Sequence, residues 1–416
     1  MEKRRVVITG MGVVSPVGID GATTWESLLG GVSGADTIQA FEATEDFATR
    51  IACEVRNFDP LEFMEKRDAK RYDRVAQFAL AASAQAMQAA GLEGVPAGME
   101  PERFGVIFGS GIGGIATFEE QHRKLIEQGP NRVSPFFIPM FIPDISAGLI
   151  SMRFGLQGPN YATVSACASS AHAIGEAFRH IERGDADLML AGGAEATITP
   201  MTVAGFAAMK AMSTRNDDPK SASRPFDKNR DGFVIGEGGG ALVLEVLEHA
   251  QARGATIFGE LVGYGLSGDA YHITAPPPDG YGAQKAMRMA LRDAGLEVSD
   301  VDYVNAHGTS TMADAIETSA VKAVLGERAR EIVVGSTKSM TGHLLGAAGA
   351  LESFVAVMAC REGKIPPTIN FEEADPECDL EYAHGGMVER EVGVALSNSF
   401  GFGGHNVCLA VRRWDG

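Results

Sequence analysis

The sequence of 416 residues predicts an α/β protein made of two similar halves. Three observations support this prediction. Strand-like apolar runs alternate with helical patterns along the chain, which is typical of sheets joined by crossover helices. Four elements of the first half recur in the same order in the second half, which indicates an internal duplication. Apolar residues make up 45% of the chain and charged residues 22%, so a large ordered core is available.

The strand-like runs are short and are separated by helical or turn-forming segments. In the first half and at the start of the second, they cover residues 5–10, 104–108, 162–166, 187–193, 241–246 and 258–265. The matched segments are 6–18 with 258–270, 106–114 with 303–311, 163–183 with 332–359, and 188–196 with 394–404. In the first pair, each strand is interpreted as ending in a G-x-G turn. The duplication predicts one half over residues 1–256 and another over 257–416, facing each other across one site.

Two long segments of the first half exceed what a simple β-α unit needs. They cover residues 19–103 and 115–160 and are predicted to be insertions. The first contains LEFMEKRDAKRYDRVAQFAL (61–80), which includes a probable helix. The second contains NRVSPFFIPMFIPD (131–144), whose Pro and Phe content predicts a covering loop or a subunit contact.

Charge and hydropathy exclude several classes of protein. The formal net charge of -18 argues against a general nucleic-acid binder, which needs a positive surface. No apolar run approaches the ~20 residues of a membrane span, and the start MEKRRVVITG does not have the pattern of a signal peptide. A cytoplasmic location is therefore predicted. The five cysteines are far apart and form no C-x-x-C pair, so we expect reduced thiols rather than disulfides or a zinc site.

The stretch TVSACASSAHAIGEAF (163–178) places Cys167 between a strand-like run and a helix. The helix is predicted from apolar residues spaced three and four apart, and Gly184 stands where it would end. A helix N-terminus has unpaired N–H groups and a positive end, which lower the pKa of a thiol from about 8.5 toward neutrality. In open α/β sheets, ligands bind beyond the carboxyl ends of strands. The alternative is that Cys167 is a small buried hydrophobic residue.

Two histidines of the second half have comparable positions. His307 follows a strand in NAHGTST, and His343 lies at the turn into a helix in KSMTGHLLGAAGA. In the proposed duplication, His343 takes the position that Cys167 takes in the first half. A single histidine more often has a structural role, but a cysteine and two histidines at corresponding strand ends predict one reactive cleft.

Other residues around these motifs suggest supporting roles. A buried Lys338 would require a counter-charge, so an ion pair with Glu352 is a reasonable hypothesis, with a solvated lysine as the alternative. The glycine-rich GFGGHN (401–406) follows a strand, and its amides could form half of an oxyanion hole. The segment GSGIGG (109–114) formally matches a dinucleotide-binding pattern. However, the residues after it do not lead to a strand with the required acidic residue, so a tight turn is the preferred interpretation.

These motifs resemble those of the β-ketoacyl-acyl carrier protein synthases, and in particular synthase II of bacterial fatty-acid synthesis. They occur in the order VSACASSAHAIG, RPFDKNRDGFVIGEG, VNAHGTST, GSTKSMTGHLLGAAGALES and NSFGFGGHN. The resemblance covers essentially the whole chain. It implies a thiolase-like α/β fold of two duplicated halves, with mixed sheets and crossover helices in a layered arrangement.

The resemblance also implies roles for single residues. Cys167 would be the acyl-accepting nucleophile, and His307 and His343 would promote malonyl decarboxylation. Lys338, paired with Glu352, would organise the site. The further positions that it implies are Phe402 as a gate whose amide joins that of Cys167 in the oxyanion hole, Ile112 and Phe206 at the acyl pocket, Thr309 and Thr311 at the phosphopantetheine arm, and Thr274 among the substrate-binding residues.

The implied partner is an acyl carrier protein, which brings acyl and malonyl thioesters on its phosphopantetheine. No other cofactor is expected, although the resemblance suggests a structural monovalent cation near Asn305, Glu352 and Asn398. A homodimer is expected. Because both proteins are acidic, docking would need a local basic patch. The candidates are Lys66, Arg67, Lys70 and Arg71, with Arg74 one turn later, and Lys210; the alternative is a solvated helix face with interspersed Glu65, Asp68 and Asp73.

Three other functions compete with a condensing enzyme, and the first of them is the hardest to exclude. A polyketide-type ketosynthase would have the same three reactive residues. A chain-length-factor-like partner subunit, which is not an enzyme, would lack the nucleophile. A thiolase would need a second cysteine near the C-terminus, and Cys408 lies in an apolar strand pattern. Two features depart from the usual pattern: the loop after Thr311 is one residue shorter, and His405 follows GFGG and is interpreted as structural.

Overall fold

The computed structural model describes residues 3–416. Strands and helices alternate along the chain. The strands are β1 (Val6–Val14), β2 (Ala35–Thr37), β3 (Ile51–Cys53), β4 (Phe104–Gly109), β5 (Asn160–Tyr161), β6 (Leu188–Glu195), β7 (Gly238–Val246), β8 (Gly259–Gly268), β9 (Tyr303–Asn305), β10 (Val333–Gly335), β11 (Lys364–Ile365), β12 (Val388–Glu389), β13 (Val394–Gly401) and β14 (His405–Arg412).

The α-helices range from one turn to four turns. They are α1 (Gly21–Leu29), α2 (Lys66–Ala69), α3 (Arg74–Ala89), α4 (Ile115–Gln128), α5 (Phe137–Phe141), α6 (Ile145–Phe154), α7 (Ser169–Arg183), α8 (Pro200–Ala208), α9 (Leu247–Ala252), α10 (Tyr281–Ala294), α11 (Ala313–Leu325), α12 (Lys338–Thr341) and α13 (Ala348–Glu362). Short 3-10 turns lie between them, and those at Ala166–Ala168 and Leu345–Ala347 directly precede α7 and α13.

Ten strands form one mixed sheet in the order β10-β9-β13-β14-β8-β1-β7-β6-β4-β5. The three strands at each end, β4 to β6 and β9, β10 and β13, are parallel, and the central pairings are antiparallel. Five of the strands precede residue 256 in the chain and five follow it. The two sets have equivalent orders outward from the central β1–β8 pair, with β7, β6, β4 and β5 on one side and β14, β13, β9 and β10 on the other. The mixed-sheet α/β fold is therefore confirmed, whereas the division of the chain at residue 256 stays a prediction.

Helices α7 and α13 pack against each other, and each contacts strands of both halves. The apolar face of α7 is buried as the sequence spacing predicted, and Gly184 ends the helix with a left-handed backbone (φ 86°). Helix α3 packs on β1 and β7, and α10 packs on β8 and β14. The carboxyl ends of the parallel strands and the N-termini of α7 and α13 therefore meet near the centre of the molecule.

The predicted G-x-G turns are wrong, because both pairs of glycines lie inside strands. Gly10 and Gly12 are in β1, and a Cβ atom at either would overlap backbone of α3. Gly263 and Gly265 are in β8, where a Cβ atom would overlap backbone of α10. The sheet register shifts just before the first glycine of each pair. These glycines are needed for close helix–sheet approach rather than for a turn.

One other local prediction also needs correction. Residues 162–165 have no strand assignment, because β5 ends at Tyr161 and the chain then turns into the 3-10 segment at Ala166. The segment 61–80 holds the one-turn helix α2 and the start of α3, and the side chain of Asp73 caps α3 by accepting from the amide of Val75. The segment 131–144 contains α5, which packs on α4.

Across residues 3–416, no helix combines the length and apolarity that crossing a membrane requires.

Replacing Gly265 with alanine should destabilise the fold, because the added Cβ would overlap the carbonyl oxygen of Ala286 in α10. Overpacking of this kind costs about 1–3 kcal/mol of unfolding free energy. Gly268→Ala is a matched control at the end of β8, where no atom lies within 4 Å of the new Cβ. Thermal unfolding of both variants checks the prediction, and equal melting temperatures would contradict it.

Candidate active site

A cavity of about 750 Å³ lies at the junction of the two halves. The residues that line it come from both sides of residue 256, and they include most of the sequence-predicted site. Of these, Ile112, Cys167, Phe206, Lys210, Thr274, His307, Thr309, Thr311, His343 and Phe402 contribute to the lining. Lys338 and Glu352 are buried and do not reach it, and His405 is exposed and lies outside the lining.

Cys167 is the middle residue of the 3-10 turn that leads into α7. Ala166, just before it, has a left-handed backbone (φ 50°), which is strained for a residue with a Cβ atom. Hydrogen bonds hold this turn. The Ser169 hydroxyl donates to the Ala166 carbonyl at 2.7 Å and accepts from the Ser165 amide at 2.9 Å. These hydrogen bonds hold Ala166 in its strained conformation. They thereby also fix the position of the Cys167 thiol.

The second half repeats this turn. Leu345 (φ 48°) opens the 3-10 segment before α13, just as Ala166 does before α7. By this correspondence the counterpart of Cys167 is Gly346, and His343 lies three residues earlier. The hypothesis that His343 and Cys167 occupy equivalent positions is therefore wrong in register, although both side chains line the same cavity.

The expectation of a lowered thiol pKa is also wrong. Burial raises the pKa of Cys167 to about 12. The positive charge of Lys338 and hydrogen bonding from the amides of Phe402 and Cys167 act in the opposite direction, but they do not outweigh burial. Cys167 is therefore a neutral thiol at pH 7. The two amides are placed to stabilise negative charge that forms near Sγ during a reaction.

Glycine at position 401 allows β13 to approach this turn closely. A Cβ atom there would lie 2.6 Å from the Ser165 carbonyl oxygen and 3.1 Å from the Cys167 amide nitrogen. Because no real Cβ contact is as short as the first distance, a larger residue would push Phe402 away from Cys167. The glycine-rich segment thus brings the second amide to the thiol.

His307 and His343 meet edge to face, with ring centroids 5.3 Å apart and planes at 85°. Burial lowers the pKa of both imidazoles well below its usual value, and the charge of Lys338 lowers it further. Both rings are therefore neutral at pH 7. Their Nδ1 atoms have no hydrogen-bond partner within residues 3–416. Phe400 and Phe233 each pack against one of the two rings.

Lys338 and Glu352 form a buried ion pair behind the histidines, with Nζ donating to Oε1. Each side chain is 2% exposed. Burial raises the pKa of Glu352 to about 7, and the charge of Lys338 opposes that rise. Lys338 therefore places a positive charge close to the thiol and to both imidazoles and lowers their pKa values.

Two carboxylates on α11 shape the loop that carries His307. Glu317 accepts hydrogen bonds from the amides of His307 and Gly308, both at 2.8 Å. Asp314 accepts from the amides of Thr309 and Ser310 at 2.9 and 3.1 Å. Neither acid was assigned a role from the sequence. Their spacing of three was the available signal, because on a helix it places both side chains on one face.

Glu195, at the end of β6, was missed by sequence reasoning. It is fully buried and accepts from the amides of Gly111 and Ile112 at 2.7 and 3.2 Å. These amides belong to GSGIGG, so an internal carboxylate occupies donors that a dinucleotide phosphate would need. The preference for a tight turn over a dinucleotide site agrees with this contact. A carboxylate in an otherwise apolar buried strand was the only available signal.

The candidate docking residues fall into two groups. Lys66, Arg67, Lys70 and Arg71 are exposed around α2 and lie outside the main cavity, whereas Lys210 is exposed and lines it. Arg71 and Lys70 line a separate cavity of about 300 Å³ near Phe136. Arg74 instead forms a salt bridge with the largely buried Glu237 and is part of the fold.

Within residues 3–416, no cluster of three or more His, Cys, Asp or Glu side chains has the arrangement of a metal site. Cys408 is fully buried in β14 and does not line the cavity, so the second cysteine of a thiolase is not found there.

Comparison with known proteins now identifies the family. Models described as the N-terminal and C-terminal domains of β-ketoacyl synthase match residues 3–250 and 258–372. The chain belongs to the β-ketoacyl synthase family. Among curated β-ketoacyl synthases, it is 52% identical to the 3-oxoacyl-[acyl-carrier-protein] synthase 2 of Synechocystis sp., over all of this chain and 99% of that protein. It is 50% identical to the protein of the same name from Staphylococcus aureus, with the same coverage.

Solved β-ketoacyl synthase structures agree with this assignment. A β-ketoacyl synthase from Burkholderia phymatum has a TM-score of 0.92 at 37% identity, over 99% of this chain and 100% of that chain. A structure of a type II polyketide synthase acyl carrier protein in complex with its ketosynthase has a TM-score of 0.92 at 36% identity, over all of both chains. The thiolase-like fold expected from the sequence is thereby confirmed.

Cys167 should alkylate slowly at neutral pH. Because burial raises its pKa to about 12, the thiolate fraction should increase about tenfold for each pH unit between 7 and 9. The rate of carbamidomethylation by iodoacetamide, followed by intact mass, measures this dependence. Cys167→Ser identifies the reacting residue. A rate that levels off near pH 7 would show that the helix N-terminus outweighs burial.

Replacing Lys338 with methionine should destabilise the protein by about 3–5 kcal/mol, because Glu352 would lose its counter-charge and would either stay ionised without a partner or have to take up a proton. The loss should be smaller at pH 5.5 than at pH 8. Burial raises the pKa of Glu352, so the folded state takes up a proton as pH falls and the unpaired charge disappears. Chemical denaturation at both pH values checks this. The double variant with Glu352→Leu should recover stability, and equal losses in both variants would contradict the explanation.

Proposed function

We propose that this protein is a 3-oxoacyl-acyl carrier protein synthase of the second type, a condensing acyltransferase that lengthens acyl chains by two carbons. The observation that supports this most directly is the arrangement in one cavity of a buried thiol, two amide donors and two neutral histidines. Its curated relatives with 50–52% identity over the full chain have this name.

In the first step, Sγ of Cys167 attacks the thioester carbonyl of an acyl chain on the carrier. The amides of Cys167 and Phe402 stabilise the negative charge on the carbonyl oxygen. The phosphopantetheine thiol leaves, and it takes up the proton that Cys167 loses. One thioester replaces another, so the acyl chain is transferred without an external energy source.

In the second step, malonyl thioester loses its carboxylate as carbon dioxide and leaves an enolate. Neutral His307 and His343 donate hydrogen bonds to the enolate oxygen, which stabilises the developing charge. The enolate carbon then attacks the acyl carbonyl and forms the new carbon–carbon bond. The Cys167 thiolate leaves and is reprotonated from solvent. Neutral imidazoles suit this role because they can donate without holding a competing positive charge.

The surroundings of Cys167 suit an acyl chain. An apolar cluster around the thiol contains Ile198, Val203, Phe233 and Leu345, and Ile112 and Phe206 pack against it. The ring centroid of Phe206 lies 6.4 Å from that of Phe402, so these two side chains can control access between the cavity mouth and the cluster. Thr309 and Thr311 line the cavity from the second half, with their hydroxyls 3.0 Å apart, and could hold the phosphopantetheine arm together with Thr274.

The proposed partner is an acyl carrier protein. The exposed cations of α2 and Lys210 at the cavity could attract its acidic surface in spite of the net charge of -18. A related ketosynthase structure contains an acyl carrier protein, which supports the class of partner. We also propose a cytoplasmic location, because the proposed substrates are carried by soluble proteins.

A monovalent cation near Asn305 is the one inorganic group that we propose. Both side-chain polar atoms of Asn305, Oδ1 of Asn398 and Oε2 of Glu352 are buried without a hydrogen-bond partner within residues 3–416. The three oxygens among these atoms are the ligand type that a hard cation prefers. Such an ion would stabilise the loops behind the histidines, and no step of the reaction requires it.

A homodimer is also proposed, with β5 at its interface. Asn160 and Tyr161 of this edge strand are exposed, and Val164 beside it is 58% exposed. An exposed edge with apolar neighbours is a surface that a second chain can cover.

A polyketide-type ketosynthase is the second candidate function. The structure of a type II polyketide synthase acyl carrier protein with its ketosynthase is 36% identical to this chain and has the same fold. The greater identity to the synthase 2 proteins favours fatty-acid elongation. A chain-length-factor-like role is disfavoured because Cys167 and both histidines are present in one cavity.

Intact-mass analysis after mixing the protein with myristoyl- or palmitoyl-acyl carrier protein should show an acyl adduct in wild type and none in Cys167→Ala. Malonyl-acyl carrier protein should then discharge the adduct as a β-ketoacyl product two carbons longer. The His307→Ala and His343→Ala variants should form the adduct and discharge it at least about 100-fold more slowly. A folded wild-type protein that forms no adduct would rule out the condensing function and favour a partner-subunit role.

Val164→Glu should convert the protein from dimer to monomer, because a charge would then be buried at the β5 edge. Light scattering during gel filtration measures the mass. Val298→Glu is a control, since Val298 is 39% exposed in a 3-10 turn remote from β5. A wild-type monomer, or a dimer that Val164→Glu leaves intact, would contradict the proposed interface.

A further inference from the structure

The carboxylate of Glu195 takes no part in the steps described above, although it lies beside the cavity. We propose that Glu195 is a positioning residue that fixes the acyl-binding wall at Ile112 against the second half of the protein, and that it thereby sets chain-length preference. This inference rests on the proposed condensing function.

Four hydrogen bonds converge on this carboxylate. Oε1 accepts from the Ser110 hydroxyl at 2.9 Å and from the Ile112 amide at 3.2 Å. Oε2 accepts from the amides of Gly111 and Gly346 at 2.7 and 2.9 Å. Gly346 belongs to the turn before α13, whereas the other three donors belong to the loop after β4. One side chain therefore joins the acyl wall of the first half to the segment that follows His343.

Oε2 of Glu195 lies too close to the backbone at Gly111 and Gly346 for either position to carry a side chain. A Cβ atom at Gly111 would lie 2.8 Å from Oε2, and one at Gly346 would lie 2.5 Å from it. Glu195 itself has no exposed surface. Both glycines are therefore needed for their amides to reach the carboxylate. Because each oxygen faces two donors, the ionised form is the one that the hydrogen bonds satisfy, even though burial raises the pKa of Glu195.

Replacing Glu195 with glutamine should loosen one contact selectively. If the new amide group faced Gly111 and Gly346, two backbone N–H groups would lose their acceptor. If it instead faced Ser110, the hydroxyl could rotate and accept from it, and only the Ile112 amide would remain unpaired. The second orientation costs less, because fewer buried donors are left unsatisfied. Glu195→Gln should therefore release the wall at Ile112 and keep the bridge to Gly346.

The charge of Glu195 gives a second, independent readout. It raises the pKa of Cys167, whereas Lys338 lowers it, and the imidazoles of His307 and His343 carry no charge. Loss of this negative charge should lower the thiol pKa. Glu195→Asp keeps the charge but shortens the side chain, so the two variants separate the effect of charge from that of position.

The test compares Glu195→Gln and Glu195→Asp with wild type, and it uses Glu54→Gln as control. Glu54 is also a buried carboxylate that accepts from two amides, those of Gln39 and Ala40, but none of these residues lines the cavity. The ratio of acylation rates with myristoyl- and hexanoyl-acyl carrier protein is measured by intact mass. Carbamidomethylation of Cys167 is measured across pH 7 to 9.

We expect both Glu195 variants to raise the ratio of the myristoyl to the hexanoyl acylation rate by roughly fivefold or more. The reason is that a more mobile Ile112 leaves room for longer acyl chains. Only Glu195→Gln should speed alkylation at pH 7, by about threefold or more, since only it removes the charge. Glu54→Gln should change neither quantity. If Glu195→Gln does not fold, Ser110→Ala removes one donor to Oε1 and should raise the ratio in the same direction.

An unchanged ratio in the variants, with a wild type that forms the acyl adduct, would overturn the positioning role alone. A wild type that forms no adduct with either carrier would overturn the proposed function, and this inference would fail with it. A changed ratio that Glu54→Gln reproduces would show general loosening of the fold and would also overturn the inference.

Discussion

The close packing of α7 against α13 is the contact on which the site depends. A Cβ atom at Gly349 of α13 would lie 2.8 Å from that of Ala171 in α7, so glycine is required there. The Ser170 hydroxyl accepts from the Ala350 amide at 2.9 Å, which fixes the two helices axially. Because each helix begins with a strained turn, their contact also fixes how these turns face each other. The position of the thiol relative to the turn that follows His343 depends on this pair of helices.

The electrostatics of the site follow from its burial. The Cys167 thiol and both imidazoles are neutral, and the charges that shift their pKa values are those of Lys338 and, for the thiol, Glu195. In such a low-dielectric setting, hydrogen bonds to a developing charge are stronger than in water. The preformed donors therefore stabilise negative charge when it appears on a substrate oxygen, and the resting site holds none on the thiol.

Much of the fold could be predicted from the sequence, because alternating apolar patterns and matched motifs report local structure directly. The burial of α7 and the convergence of Cys167, His307 and His343 are examples. The thiol pKa could not be predicted, because a local rule for helix N-termini competes with burial, and burial depends on the whole chain. The role of the glycines in β1 depends on contacts with residues 70 or more positions later in the chain, and the contacts of Glu195 span both halves.

The protonated state of Cys167 has a consequence beyond catalysis. Peroxides oxidise thiolates far faster than thiols, so a cysteine held neutral is a poor target for oxidation. A thiol whose pKa was lowered by a helix N-terminus would be partly ionised at pH 7, and peroxides could oxidise it in every resting molecule. Burial therefore protects the resting thiol from oxidation, and the same raised pKa that slows its alkylation at neutral pH slows its reaction with peroxide.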